Sequence, residues 1–128
     1  MANLHHIIIA LGTNTQHDVF MRKAMALLST VFPGIRFTNM MWTEPIGMDG
    51  PPFRNCLAQA VTSMDMREVE RSLKDVETRC GRTREESLRD VIRMDVDLLL
   101  YDDERRHEQD WERPYVHQLM EEMKNEKP

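Results

Sequence analysis

The chain has 128 residues, 41% of them hydrophobic and 30% charged, which describes one domain, 1–128, with length for a core. Its formal net charge of −5 argues against a non-specific nucleic-acid binder, which carries a basic excess. The longest apolar run, 7–11, is far too short to span a bilayer. No basic stretch with an apolar core and a cleavage site marks export. Cys56 and Cys80 lack metal-type spacing and read as free, buried thiols of a reducing compartment. The expectation is a cytoplasmic monomer or weak homodimer, with neither nucleic acid nor membrane as partner.

The β-branched run 5–11 predicts a buried strand, ended by a turn at Gly12-Thr13-Asn14. Phe20, Ala24, Leu27 or Leu28, and Val31 then recur at helical spacing, which predicts a helix over 16–31, stopped by Pro33-Gly34. Residues 35–43 alternate as a strand, with Trp42 expected in the core. Three prolines and two glycines make 44–52 a loop of defined shape. Residues 53–62 predict a strand with the small side chains Cys56, Ala58 and Ala60 on one side. Asp65 with Glu68 three residues on is a capping-box pattern for a helix over 66–80, closed by Gly81. Residues 82–92 are charged and aperiodic, a mobile loop; 93–101 is the last strand; 102–110 is a solvated loop; 112–124 is a final helix, and the terminal NEKP frays. The order is β-α-β-β-α-β plus a C-terminal helix. That is the ferredoxin-like α+β arrangement, an antiparallel sheet with two helices on one face and the other face free for ligands.

The last strand, MDVDLLLY at 94–101, carries two acids inside an otherwise buried sequence. Alternation puts Asp95, Asp97, Leu99 and Tyr101 on one face and Met94, Val96, Leu98 and Leu100 on the other. Alternate Cα positions lie about 7 Å apart along a strand. Two hard carboxylates at that spacing on the free face suit one or two Mg²⁺ ions that also hold phosphates. The plain alternative is a solvated strand face paired with arginines. The preceding loop supplies Arg82, Arg84, Arg89 and Arg93, whose forked guanidinium groups match phosphate oxygens.

Five short motifs stand in order: ALGTN (10–14), WTEPIG (42–47), FRN (53–55), ETRCGR (77–82) and DVDLLLY (95–101). Together they resemble 6-hydroxymethyl-7,8-dihydropterin pyrophosphokinase, a ferredoxin-like enzyme that makes the diphosphate precursor of folate. The resemblance implies transfer of the β,γ-diphosphate of ATP to the pterin hydroxymethyl group, with AMP released and two Mg²⁺ ions held by Asp95 and Asp97. It implies catalytic roles for Arg82, Arg93 and Asp97. It puts the pterin against Thr43, Pro45, Ile46, Phe53 and Asn55, and ATP against Glu77, Arg82, Arg84, Leu98 and Tyr115.

The sequence departs from the family in two places. Where the family has Trp-Gly-Pro-Arg-Thr, this chain has Arg89-Asp90-Val91-Ile92-Arg93. Family members also run some tens of residues further, with a Pro-His segment and further basic and aromatic ligands; here Tyr115 or His117 is the candidate substitute, and the plain alternative is that Pro114 starts a helix with His117 on its surface. Two functional readings of different class follow, an active diphosphokinase and a non-catalytic relative that keeps a pterin or nucleotide pocket. Retention of Asp95, Asp97, Asn55 and Arg82 favours the enzyme. A third, an unrelated interaction domain of the same fold, would bind neither ATP nor pterin.

Overall fold

A computed structural model describes residues 3–125. The fraying expected of the terminal NEKP falls mostly outside them. In chain order the elements are β1 (His5–Thr13), α1 (His17–Val31), β2 (Arg36–Phe37), β3 (Met41–Thr43), β4 (Phe53–Thr62), α2 (Met66–Arg79), α3 (Arg84–Leu88), β5 (Asp95–Tyr101), β6 (Glu104–Arg105), a 3₁₀ turn at Glu108–Glu112, and α4 (Pro114–Asn125). The sheet is antiparallel in the order β2-β4-β1-β5-β6, with β3 also paired to β4. The ferredoxin-like α+β arrangement is therefore present, extended by an edge hairpin. No described helix is long and apolar enough to cross a membrane.

Strand alternation builds two cores. Ile7, Ile9 and Leu11 of β1, Cys56, Ala58 and Ala60 of β4, and Val96 and Leu98 of β5 face α1 and α2. Those helices contribute Phe20, Met21, Ala24 and Leu28, and Val69, Leu73 and Val76. Asp65 caps α2 as the sequence predicts: its side chain accepts from Glu68 N–H at 2.8 Å, and Glu68 accepts from Asp65 N–H at 3.0 Å. Both cysteines are free and buried.

The second sheet face is not left open, as the sequence had suggested. Helix α4 lies across it, and Val116, Leu119 and Met123 pack on Ile8, Leu57 and Leu99. Glu122 fastens the far end of α4 by accepting from Asn39 N–H at 2.8 Å. What stays uncovered is the other end of that face, where β1, β4 and β5 carry Gly12, Asn55, Asp95 and Asp97.

Four further expectations need correction. The first strand does not turn at Gly12; it stays paired through Thr13. The strand expected over 35–43 is two pieces, because Thr38 turns its side chain into the ladder: Leu57 N–H donates to Thr38 Oγ1 at 2.9 Å, and the pairing slips by one residue beyond it. Trp42 is not in the core; it is 55% exposed, edge-on to His17 and under the Arg54 guanidinium. Strict alternation in the last strand fails at a bulge, since Ile9 pairs with Leu98 but Ile8 with Leu100. Leu99 is the extra residue, so Leu100 joins the α4 side and Tyr101 swings to the α1/α2 side, where its hydroxyl donates to Met64 O at 2.8 Å.

The loop 82–92 is more ordered than a charged, aperiodic stretch suggests. Thr83 caps the short α3 by accepting from Glu86 N–H at 3.1 Å. The buried Asn14 side chain then holds the loop's end, donating to Asp90 O and accepting from Ile92 N–H, each at 2.7 Å. Strand β5 starts at Asp95, two residues later than the expected 93.

Candidate active site

The uncovered end of the sheet is the floor of a cavity of about 250 Å³. Ala10 and Gly12 of β1, Asn55 of β4, and Asp95 and Asp97 of β5 line it. The register fixes this set, because Gly12 lies opposite both Asn55 and Asp95, and Ala10 opposite Asp97. Thr43, Ile46 and Phe53 form one wall, with Glu44 and Met48 of the loop after β3. Arg82 and Ile92 come from the segment before β5; Asp110, Arg113 and Tyr115 come from the 3₁₀ turn and the start of α4.

Asn55 is buried, and its amide N–H donates to Thr43 Oγ1. That tether fixes which way the amide faces; the assignment of its oxygen follows from this hydrogen bond. Gly12 makes the room: a Cβ there would stand 2.6 Å from Asn55 Oδ1.

Glu77, near the end of α2, is almost fully buried yet ionisable. Its carboxylate accepts from Val96 N–H at 2.8 Å and from Arg82 Nη1 at 3.2 Å. The same Nη1 reaches Asp95 Oδ1 at 3.0 Å. One guanidinium thus ties the helix acid to the strand acid. Glu77, Asp95 and Asp97 present carboxylate oxygens within 4.8 Å of one another. Burial, and then Asp95 beside it, push the Asp97 carboxyl up from its ordinary 3.8 to about 8. Burial likewise raises Glu77, against the opposing pull of the Val96 amide and Arg82. Three close acids, two of them on one arginine, hold negative charge that a cation would relieve. Their donors are all hard oxygens, the ligand type of Mg²⁺, so these residues fit such an ion.

Asp97 also borders a second, more open cavity of about 500 Å³ between α2 and β5, lined by Glu77, Leu98 and His107 with Arg67, Arg71 and Lys74. The two cavities meet at Asp97.

Of the residues singled out in the sequence, the first cavity gathers Thr43, Ile46, Phe53, Asn55, Arg82, Asp95, Asp97 and Tyr115. Pro45 lies in the wall loop but not on the lining. Glu77 and Leu98 are at the second cavity. Arg84 is exposed on α3 and lines neither. Arg93 also faces away, with both arms of its fork on Glu86 at 2.7 and 3.0 Å and its plane over the Phe20 ring. His117 is exposed, as expected. Sequence reasoning missed Gly12, Glu44, Asp110 and Arg113. Gly12 stood inside a recognised motif and was taken for a turn residue. Asp110 and Arg113 sat in or beside a charged stretch that looks like any solvated loop.

A ferredoxin-like sheet that sets an acid pair and an arginine between two cavities has the ligand chemistry for a divalent cation and a phosphate group. The chain belongs to the 7,8-dihydro-6-hydroxymethylpterin-pyrophosphokinase family, which it matches over residues 8–125. Enzymes of this family are ATP-dependent diphosphokinases that use Mg²⁺. The chain is also 31% identical to a folate synthesis bifunctional protein of Arabidopsis thaliana over 122 residues, 86% of this chain and 25% of that protein. It therefore spans about a quarter of the length of that relative.

Proposed function

We propose that the chain transfers the β,γ-diphosphate of ATP to the hydroxymethyl group of 6-hydroxymethyl-7,8-dihydropterin, releasing AMP, as a step of folate biosynthesis. The observation that carries this reading is the meeting of the two cavities at Asp97. One has a polar amide and flanking apolar side chains suited to a flat heterocycle; the other has a basic rim suited to a nucleotide. The acids and Arg82 lie between them.

A pterin edge alternates donors and acceptors. The Asn55 amide keeps one N–H and its oxygen for such an edge after bonding Thr43. Phe53 and Ile46 cover the ring, and the backbone around Thr43 and Pro45 supplies further donors and acceptors. ATP lies against Glu77 and Leu98, with Arg82 and Tyr115 beside it; Arg84, exposed on α3, joins them once that segment closes over the nucleotide. The hydroxymethyl oxygen attacks the β-phosphorus, the bond from that phosphorus to the α,β-bridging oxygen breaks, and AMP leaves with the electron pair. Asp97, once ionised, accepts a hydrogen bond from the hydroxyl and orients it; loss of the proton to water would be assisted by a bound ion. Arg82 neutralises charge on the phosphate oxygens by exchanging its Asp95 contact for them. Arg93 does the same after leaving Glu86. Two Mg²⁺ ions, held by Asp95 and Asp97, would supply further neutralisation of the phosphate oxygens.

The same reading makes the protein a cytoplasmic monomer or weak homodimer acting on small molecules. The net charge of −5 and the two free, buried thiols support it.

AMP release from ATP with Mg²⁺ and the pterin tests the proposal. Pterin-dependent AMP that disappears in Asp97→Ala is the expected result. A second reading, the non-catalytic relative, draws on the engagement of Arg93 by Glu86. It would take over if calorimetry showed pterin or MgATP binding while no AMP formed.

A further inference from the structure

The first cavity is short of free positive charge. Its lining carries the acids Glu44, Asp95, Asp97 and Asp110 against two cations, Arg82 and Arg113. Arg82 is tied down through Nη1, by Glu77, Asp95 and the Met94 carbonyl. Arg93 is held outside by Glu86. Arg113 has a single ion-pair partner, Asp110 at 3.1 Å, three residues back on the same segment. Such a half-exposed local pair is weak and easily exchanged.

The root of the Arg113 side chain is fixed. Pro114 opens α4, and Arg113 has the extended backbone (φ −72°, ψ 136°) that a residue before proline favours. Its own N–H donates to Asp110 O at 3.1 Å, and its carbonyl accepts from Val116 N–H at 3.1 Å and His117 N–H at 3.2 Å. Leu119 and Met123 anchor the same helix on the sheet. The backbone is thereby locked at the cavity wall while the guanidinium keeps one replaceable partner. Arg113 lines the same cavity as the acid pair Asp95 and Asp97.

We infer that Arg113 is a phosphate-binding residue of this site, which turns from Asp110 to the transferred diphosphate when that anion enters. Asp110 then acts as its resting partner, holding the guanidinium at the wall until the anion arrives. The identity of the anion rests on the diphosphokinase reading; the capture of a magnesium-bound diphosphate group by Arg113 does not depend on turnover. A guanidinium suits the task because its fork meets two phosphate oxygens at once.

Calorimetry with magnesium and inorganic diphosphate separates this from a structural ion pair. Arg113→Ala should weaken binding at least tenfold, with the melting temperature and pterin affinity unchanged, and Arg113→Lys should recover part of the loss. Asp110→Asn breaks the same ion pair but frees the guanidinium, so its binding should equal or exceed wild type. Unchanged binding in Arg113→Ala would overturn the inference, as would equal losses in Arg113→Ala and Asp110→Asn. AMP release, measured beside it on the wild type, reports on the diphosphokinase reading alone. Wild-type binding that depends on Arg113 without AMP formation would leave the inference standing and remove that reading.

Discussion

The Asn55 amide fills the space that a side chain at position 12 would need: a Cβ on Gly12 would stand 2.6 Å from Asn55 Oδ1. Both residues sit in the interior of paired strands, where neither backbone can move aside without breaking the ladder. Gly12→Ala must therefore turn the Asn55 side chain and break its hydrogen bond to Thr43. A hydrogen bond of this kind is worth about 1 kcal/mol. The expected outcome is a roughly fivefold loss of pterin affinity at little cost to the fold. Titrating pterin fluorescence checks the first part and thermal melting the second. Unchanged affinity would remove Asn55 from pterin recognition.

Glu77 offers a sharper division between fold and site. Its buried carboxylate accepts from Val96 N–H and from Arg82. Glu77→Gln keeps an acceptor for Val96 and removes one of three neighbouring negative charges, so stability should hold or rise slightly while Mg²⁺ affinity falls. Glu77→Ala leaves a buried amide and Arg82 without that acceptor. Removing one partner of a buried pair costs about 3–5 kcal/mol. Chemical denaturation should therefore show Glu77→Ala destabilised by about 3–5 kcal/mol and Glu77→Gln at or above wild type. Equal losses would mean that the charge, not the acceptor, is what the fold requires.

The acid pair predicts how stability follows pH. Asp97 holds its proton up to about 8 in the folded chain against the ordinary 3.8. Between those values the folded state binds more protons than the unfolded one. The slope of unfolding free energy with pH is then negative, so this group makes the metal-free protein less stable as pH rises from about 4 toward 8. Asp97→Asn should flatten that part of the profile and be more stable than wild type at pH 8. Added Mg²⁺ should raise wild-type stability at pH 8 and do much less for the variant. Melting curves across pH, with and without Mg²⁺, provide the check; a wild-type profile that rises through this range would contradict the crowding of Asp95 and Asp97.

How far such features can be read from sequence depends on which forces act locally. The strand 53–62 and the Asp65-capped helix were legible to within a residue, because alternation and capping are short-range. The acids at 95 and 97 were legible as a shared face for the same reason. The bulge at Leu99 was not, since it arises from pairing with a strand some ninety residues away. Helix α4 was predicted, but its place across the second sheet face was not, because an amphipathic stripe does not say which apolar surface it will cover. Arg113 stayed hidden on the same account: only the docking of α4 brings it to the cavity wall. Trp42 misled in the opposite sense. Its size argues for burial, but it stands on the exposed face of a three-residue edge strand.

Arg93 poses the last question, because its fork is spent on Glu86 and its plane lies over Phe20. Hydrogen bonding and charge from this pairing lower the Glu86 carboxyl and raise the Arg93 guanidinium. Both side chains are partly exposed, and neither is trapped. If the pair is a resting latch, catalysis requires it to open, and the open state must bring Arg93 to the phosphates. Glu86→Gln should then leave pterin-dependent AMP release equal to wild type or faster, while Arg93→Ala lowers kcat at least tenfold. If the pair only staples α3 to the strand entry, the two substitutions should lower melting temperature alike and change kcat alike. Parallel kcat and melting measurements on the two variants decide between latch and staple.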